Sequence, residues 1–303
     1  MTPAADTAPT LVILAAGLGS RYGAAKQVAG VGPAGEWLLE YAIHDALAAG
    51  FMQVVLVIRA ELREPLQQRL APQLRDRAEL HFVEQTPDKL PAGCSAPAGR
   101  SKPPGTGHAL WCCAPLLQGP FSVINADDYY GRAAFGLLAG HFRHSPYPAM
   151  VGYRLAATLS SHGGVNRGVC RVDPDGHLED VTEFTDIAVR EGLLAGRAPD
   201  GSREPLAPDT VVSLNCWGLQ PGLLPDLERG LREFLARATA ADEYFLPHAI
   251  AEHLVAQQTP LAVLSTDDTW LGLTCPDDRA RVVAAIARLH DLGAYPTPLW
   301  ARG

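Results

Sequence analysis

Lysine and arginine nowhere gather into a basic run along the 303 residues, and the formal charge of −8 leaves the chain acidic. A protein that grips nucleic acid neutralises many phosphates through a basic face, so no nucleic-acid partner is expected. The six cysteines include no CxxC pair, and Cys112 and Cys113 are neighbours on a segment that reads as helix. That pattern suits buried, reduced thiols better than a disulfide framework, and a reducing cytoplasm is the compartment expected. No apolar run approaches the roughly 18 residues of a membrane span, and the opening MTPAADTAPT has no basic segment ahead of an apolar core. The chain is therefore expected to be unexported, with no membrane partner. Internal repeats and heptads are missing as well. What remains is a 47% apolar chain, enough to bury a substantial core as one large α/β domain or one domain with a small appendage.

The order of segments gives that domain a shape. Residues 10–16 (TLVILAA) form a continuous apolar run of strand length ending in glycine, the pattern of a buried parallel strand. A helix is predicted over 36–50 with Gly50 as its stop. A second buried strand follows at 54–60, then a helix in which Pro65 either lies in the first turn or breaks the segment, then a third strand at 79–85. A Pro- and Gly-dense loop spans 86–105, and loops of that length inside compact domains are functional or disordered. Helix 106–117 and strand 121–127 complete an alternation that predicts a doubly wound, mainly parallel, Rossmann-like sheet. Later, residues 168–184 read as a β-hairpin around Asp173-Pro174-Asp175-Gly176, inserted into the α/β chain. Strands at 210–219 and 261–267 and helices near 221–238, 243–257 and 276–292 complete the prediction. The expected organisation is a leader at 1–9, a domain at 10–275 with its halves divided near 135, and a C-terminal helix and tail at 276–303 packed on it.

Three segments carry chemistry. In LAAGLGSRYGAAKQ (14–27), Gly17 and Gly19 free backbone amides to face phosphate oxygens, and Arg21 and Lys26 add two cations. Such charge is needed where a triphosphate is attacked at its α-phosphorus and pyrophosphate departs. Neither rival loop fits: a P-loop needs Ser or Thr after its lysine, where Gln27 stands, and a GxGxxG fingerprint from Gly17 meets Tyr22 at its third glycine. In FSVINADDYYG (121–131), an apolar strand ends in Asp127 and Asp128, hard ligands of the kind Mg²⁺ takes alongside phosphate oxygens; Asp128 is alternatively part of a turn and helix cap. In PPGTGHAL (103–110), Gly105, Thr106 and Gly107 fall at a helix start, where free N–H groups and a hydroxyl can meet an anion or a base edge.

LAAGLGSR followed by Lys26 resembles the opening signature of the sugar nucleotidyltransferases, or nucleotide-sugar pyrophosphorylases. More closely, the GSRYG, GEW, TGHA, NADDYYG and WG blocks are similar to a bacterial branch of that superfamily with an NTP-transferase domain. The resemblance implies the nucleotide-diphospho-sugar transferase fold with the hairpin in the acceptor region, and the union of an NTP with a sugar 1-phosphate to give an NDP-sugar and pyrophosphate. It implies that Leu14, Ala15, Ala16, Gly17, Gly19 and Arg21 meet the nucleotide, that Lys26 stabilises pyrophosphate, and that Asp127 holds the metal with Asp128 as a second ligand or orienting group. Gln85 and the 105–107 block would lie against the base, with His108 a packing or base-side residue. Asn125, Arg167, Gly168, Glu183 and Asn215 would form the acceptor side, with Arg167 as phosphate cation and Arg154 as second choice, because Phe184 stands where the family has lysine. Solvated hairpin charges are the alternative for these last residues.

A second departure is His248, where some relatives carry a metal-binding aspartate; imidazole is the poorer Mg²⁺ ligand, and Glu243, Asp267 and Asp268 remain as candidates. Other readings of the same chain are nucleotidyl transfer to a phosphorylated alcohol or cofactor precursor, a noncatalytic nucleotide-sugar sensor, and a metal-dependent glycosyltransferase. Self-association as a homo-oligomer is left open by the sequence.

Overall fold

The computed structural model describes residues 7–16, 30–160, 163–273 and 278–301. Its elements in chain order are β1 (Thr10–Leu14), α1 (Leu38–Ala48), β2 (Gln53–Ile58), α2 (Arg63–Leu74), β3 (Glu79–Glu84), α3 (Thr106–Trp111), β4 (Phe121–Asn125), β5 (Asp128–Tyr129) and α4 (Ala133–His144). There follow β6 (Ala149–Arg154), β7 (Val165–Val172), β8 (Leu178–Arg190), β9 (Leu193–Arg197), β10 (Arg203–Pro205), β11 (Val211–Leu219), α5 (Leu223–Arg237), α6 (Leu246–Gln257), β12 (Ala262–Thr266), β13 (Leu271–Gly272) and α7 (Asp278–Asp291).

The continuous apolar runs become the centre of the sheet because strand side chains alternate faces, so each run feeds two cores at once. Leu11 and Ile13 of β1, Val54, Leu56 and Ile58 of β2, and Ile124 of β4 pack with α1, α2 and α4. Val12, Val55, Val57, Phe121 and Val123 face the other way, into α3, α5 and α6. The result is a three-layer sandwich with strands in the order β3-β2-β1-β4, all parallel. Register aligns Leu14 with both Val57 and Asn125, so the strands end together on one edge. Pro65 does lie in the first turn of α2. No helix among the described residues is long and apolar enough to cross a membrane.

The second half is more antiparallel than the sequence suggested. β11 runs antiparallel to β4 and carries β6, itself parallel to β12, along its opposite edge. The inserted hairpin forms around the Asp173–Gly176 turn, where Asp173 Oδ1 accepts the N–H groups of Asp175 at 2.9 Å and His177 at 2.7 Å and Gly176 has φ +84°. It is the first half of a four-stranded antiparallel lobe, β7-β8-β9-β10, rather than a lone hairpin. A smaller core gathers α7 and the C-terminal tail against α1, β5 and β13, with Tyr41, Tyr129, Tyr295 and Leu299 buried at its centre. The loop at 86–105 is strapped down: Arg100 donates to the carbonyls of Asp242 at 2.6 Å and Thr239 at 3.2 Å, and Arg232 to that of Ala92 at 2.8 Å.

Candidate functional site

One geometric accident of the sheet makes the site. β4 and β7 lie end to end along the same edge of β11: Val123 pairs with Trp217, whereas Gly168 pairs with Ser213. Between those pairs β11 bulges, and Asn215 is forced to φ +58°, a left-handed conformation that asparagine tolerates better than most residues. A notch therefore opens where β4 stops and β7 begins. Asn125, Asp127 and Asp128 stand on one side of it and Arg167, Gly168 and Glu183 on the other, with Asn215 at the gap. Leu14, beside Asn125, brings the end of β1 to the same rim, and Ala16 continues it.

Asp128 is buried. Its Oδ2 accepts from Asn125 Nδ2 at 3.0 Å and from the Tyr130 hydroxyl at 3.2 Å. Burial, then the neighbouring charge of Asp127, push its carboxyl up to about 7 despite those two hydrogen bonds. Asp127 is only partly buried and its carbonyl accepts the Leu273 N–H at 3.1 Å. Asp128 is not the cap of the next helix: the first turn of α4 is capped by Asp268, whose Oδ2 accepts the Ala133 N–H at 2.7 Å. That use gives Asp268 a structural post, and Asp267 is paired with Arg154 at 3.0 Å. Both line or adjoin a separate polar cavity of about 340 Å³ at the β6–β12 ends, across β11 from β7, so Arg154 does not stand in the notch.

The 105–107 block is brought to the sheet edge, but the Gly107 amide is not free as the sequence suggested. Gly107 N–H donates to the Tyr244 carbonyl at 2.8 Å, Tyr244 N–H returns to Pro104 at 2.7 Å, and Thr106 Oγ1 accepts the Leu246 N–H at 2.9 Å, capping α6. Packing explains the glycines: a Cβ on Gly105 would stand 2.7 Å from the Tyr244 carbonyl oxygen, and one on Gly107 2.7 Å from the Tyr244 ring. Gln85 ties this block to β3 by donating to the Gly105 carbonyl at 2.8 Å. It also lies 3.0 Å from His108 Nδ1. His108 Nε2 sits 2.6 Å from the Lys89 carbonyl, which can only accept, so that nitrogen carries the proton and Nδ1 receives from Gln85. Burial holds the imidazole below its ordinary pKa and hence neutral. His108 is a packing residue joining three segments.

Across the notch, Arg167 is 7% exposed, and its guanidinium donates to Thr158 Oγ1 at 3.1 Å, the Thr158 carbonyl at 2.5 Å and the Asn166 carbonyl at 2.8 Å. Burial lowers it to about 10, while Asp128 and Glu183 act to keep it charged, so the three share one electrostatic neighbourhood. Glu183 pairs across the ladder with Gly168, where a Cβ would stand 2.7 Å from Val181 Cγ1 and 4.0 Å from the Glu183 carboxylate. Partial desolvation raises Glu183, and Arg167 opposes the rise. Asn215 is exposed and accepts from Trp217 Nε1 at 3.4 Å.

Gly17, Gly19, Arg21 and Lys26 lie outside the described residues. Among the described residues no group of three or more His, Cys, Asp or Glu converges into a metal cage; His248 is exposed on α6, its ring meeting Phe245 edge-on. Sequence reasoning missed two residues under the notch. Tyr130, 1% exposed, accepts the Asn125 N–H at 3.0 Å and reaches the Leu214 carbonyl at 3.2 Å, tying β4 to the β11 bulge. Trp270 lies against Arg167. The doubled tyrosine after the acids was the available signal for the first; an isolated tryptophan before a two-residue strand gave none for the second.

Residues 11–114 match the family model of the MobA-like NTP transferase domain. Inositol-1-phosphate CTP transferase from T. maritima superposes with a TM-score of 0.62 at 13% identity, over 92% of this chain and 96% of that one. A protein assigned as a glucose-1-phosphate thymidylyltransferase from Bacillus anthracis, solved with sucrose, superposes with a TM-score of 0.65 at 13% identity, over 92% and 95%. Both are likenesses of fold. No curated protein matches the sequence.

Proposed function

We propose that this chain is a nucleotidyltransferase that joins an NTP to a sugar 1-phosphate or a similar phosphorylated small molecule, giving an NDP-sugar and pyrophosphate. The observation that carries the reading is the notch. It sets the acids that follow β4, in a chain whose residues 11–114 match an NTP transferase domain, in one electrostatic neighbourhood with a buried arginine and an exposed glutamate of the antiparallel lobe, beside the exposed Asn215 of β11. The two neighbours of like fold are named for transfer to inositol 1-phosphate and glucose 1-phosphate, which favours a cyclic polyol phosphate as acceptor.

On this reading a phosphate oxygen of the acceptor attacks the α-phosphorus in line, one O–P bond forms, and the α–β bridge breaks as pyrophosphate leaves. The acceptor phosphate is already ionised, so no general base is required and a neutral, buried His108 is no obstacle. Arg167 addresses the acceptor phosphate, and Glu183 and Asn215 its hydroxyls. Arg21 and Lys26 meet the departing pyrophosphate, and the backbone at Leu14, Ala15 and Ala16 faces the nucleotide. Gln85 acts through the 105–107 block that it pins.

The donor set suits Mg²⁺: Asp127 and Asp128 are adjacent hard oxygens, and such an ion takes one or two carboxylates and completes its shell from phosphates and water. When bound it would neutralise charge on the reacting phosphates. Asn125 and Tyr130 orient the Asp128 carboxylate for that task. Free cysteines, Cys94, Cys112, Cys113, Cys170 and Cys216, fit the cytoplasm as the site of action.

The test is pyrophosphate release by purified protein with Mg²⁺, each NTP in turn against sugar 1-phosphates, inositol 1-phosphate and phosphorylated alcohols. Release that requires one NTP and one acceptor is expected. Silence across the panel with tight nucleotide binding would turn the reading to a nucleotide-sugar sensor.

A further inference from the structure

Trp270 precedes β13 and packs against Arg167 on one side of the notch and against Gly272, the ladder partner of Asp128, towards the other. Its ring lies 4.5 Å from the guanidinium carbon of Arg167. Its benzo edge lies over Gly272: a Cβ there would run into the indole and would stand 3.1 Å from Asp128 Oδ1. Gly272 pairs with Asp128 in the β13–β5 ladder, which fixes that edge against the acid-bearing strand. The absent side chain at residue 272 is thus what admits the indole.

Three of the five N–H groups of Arg167 are spent on Thr158 and Asn166, which leaves two without a partner among the described residues. The identity of the aromatic matters too. Trp270 Nε1 is buried with no hydrogen-bond partner among the described residues, a penalty that phenylalanine would avoid. What indole offers in return is the strongest π face for a cation. We infer that Trp270 is a positioning residue that holds the Arg167 guanidinium flat at the notch, so that its two unspent N–H groups are presented to the phosphate of the acceptor. The hold on Arg167 follows from the contacts alone; its consequence for the acceptor rests on the proposed function.

The two are tested by separate readouts. In ¹⁵N-labelled protein, the Arg167 Nε–H resonance is assigned by its loss in Arg167→Lys, and its solvent exchange is compared among wild type, Trp270→Phe and Trp270→Leu. Exchange is expected to accelerate roughly tenfold in the Leu variant and less in the Phe variant, which keeps a weaker π face. In pyrophosphate release, the same order is expected in KM for the acceptor, with KM for the NTP unchanged and Arg167→Lys matching the Leu variant. Thermal melting establishes that each variant is folded, and Trp270→Phe carries the comparison if Trp270→Leu is not. Unchanged Nε–H exchange in the folded variants overturns the inference, as does an equal rise in KM for both substrates. Wild-type silence with every acceptor would overturn the proposed function, while the exchange rates would still decide whether Trp270 holds Arg167.

Discussion

Tyr130→Phe removes one oxygen that serves three groups. The hydroxyl accepts the Asn125 N–H at 3.0 Å and stands 3.2 Å from both Asp128 Oδ2 and the Leu214 carbonyl, with a single proton to share between those two acceptors. The ring is 1% exposed, so no water replaces the lost oxygen at once. The stranded N–H costs about 1–3 kcal/mol and the loss of one donated bond about another 1, because Asp128 keeps its bond from Asn125. A total of roughly 2–4 kcal/mol follows. Tyr153→Phe is the internal standard: its equally buried hydroxyl makes one bond, to the Tyr130 carbonyl at 2.7 Å, and should cost about 1–2 kcal/mol. Urea unfolding of both variants, with the m-value held as a check on the denatured state, measures the difference. A Tyr130→Phe penalty no larger than that of Tyr153→Phe would refute the claim that this hydroxyl joins β4 to the bulge.

Lys26→Ala and Asp127→Ala should each reduce turnover by orders of magnitude with melting temperature unchanged; near-wild-type rates in either would remove that residue from the mechanism. Gly105→Ala should be more damaging than Gly35→Ala, although both have positive φ, because only the first would push a Cβ against the Tyr244 backbone. About 1–2 kcal/mol is expected at Gly35 from conformation alone and a further 1–3 at Gly105 from the collision, read from thermal or urea melts. His108 is held neutral by burial, so its pKa is depressed in the folded state and the unfolded chain binds the extra proton first. The stability it contributes is complete above the unfolded pKa near 6.5 and is lost as pH falls below that value. His108→Gln, which cannot charge, should flatten the acid limb of a stability-versus-pH curve; an unaltered limb would mean that other groups set it.

The central strands were legible because burial on both faces leaves an unbroken apolar run, and the runs at 10–16, 54–60 and 121–127 admit few other readings. The Asp173–Gly176 turn was legible because proline and glycine each answer a backbone requirement there. Strands β9 and β10 were not. Leu193–Arg197 is short and half-buried, Arg203–Pro205 is fully exposed, and their alternation is too brief to rise above loop composition. In the site, Asp127 and Asp128 could be found from the strand they end. The notch could not, since it depends on two strands 40 residues apart sharing one edge of a third and on a bulge whose only local trace is Asn215.

The glycines at 105 and 107 show how a correct location can carry a wrong cause. Glycine before a helix reads as open amides awaiting an anion, because an unpaired N–H and a missing side chain have the same signature in sequence. Here the missing side chains admit Tyr244, and the Gly107 amide is spent on its carbonyl. Any phosphate charge that the Gly107 amide was expected to carry must then be met elsewhere. On the proposed mechanism it falls to Arg21 and Lys26 on the nucleotide side and to the two unspent N–H groups of Arg167 on the acceptor side.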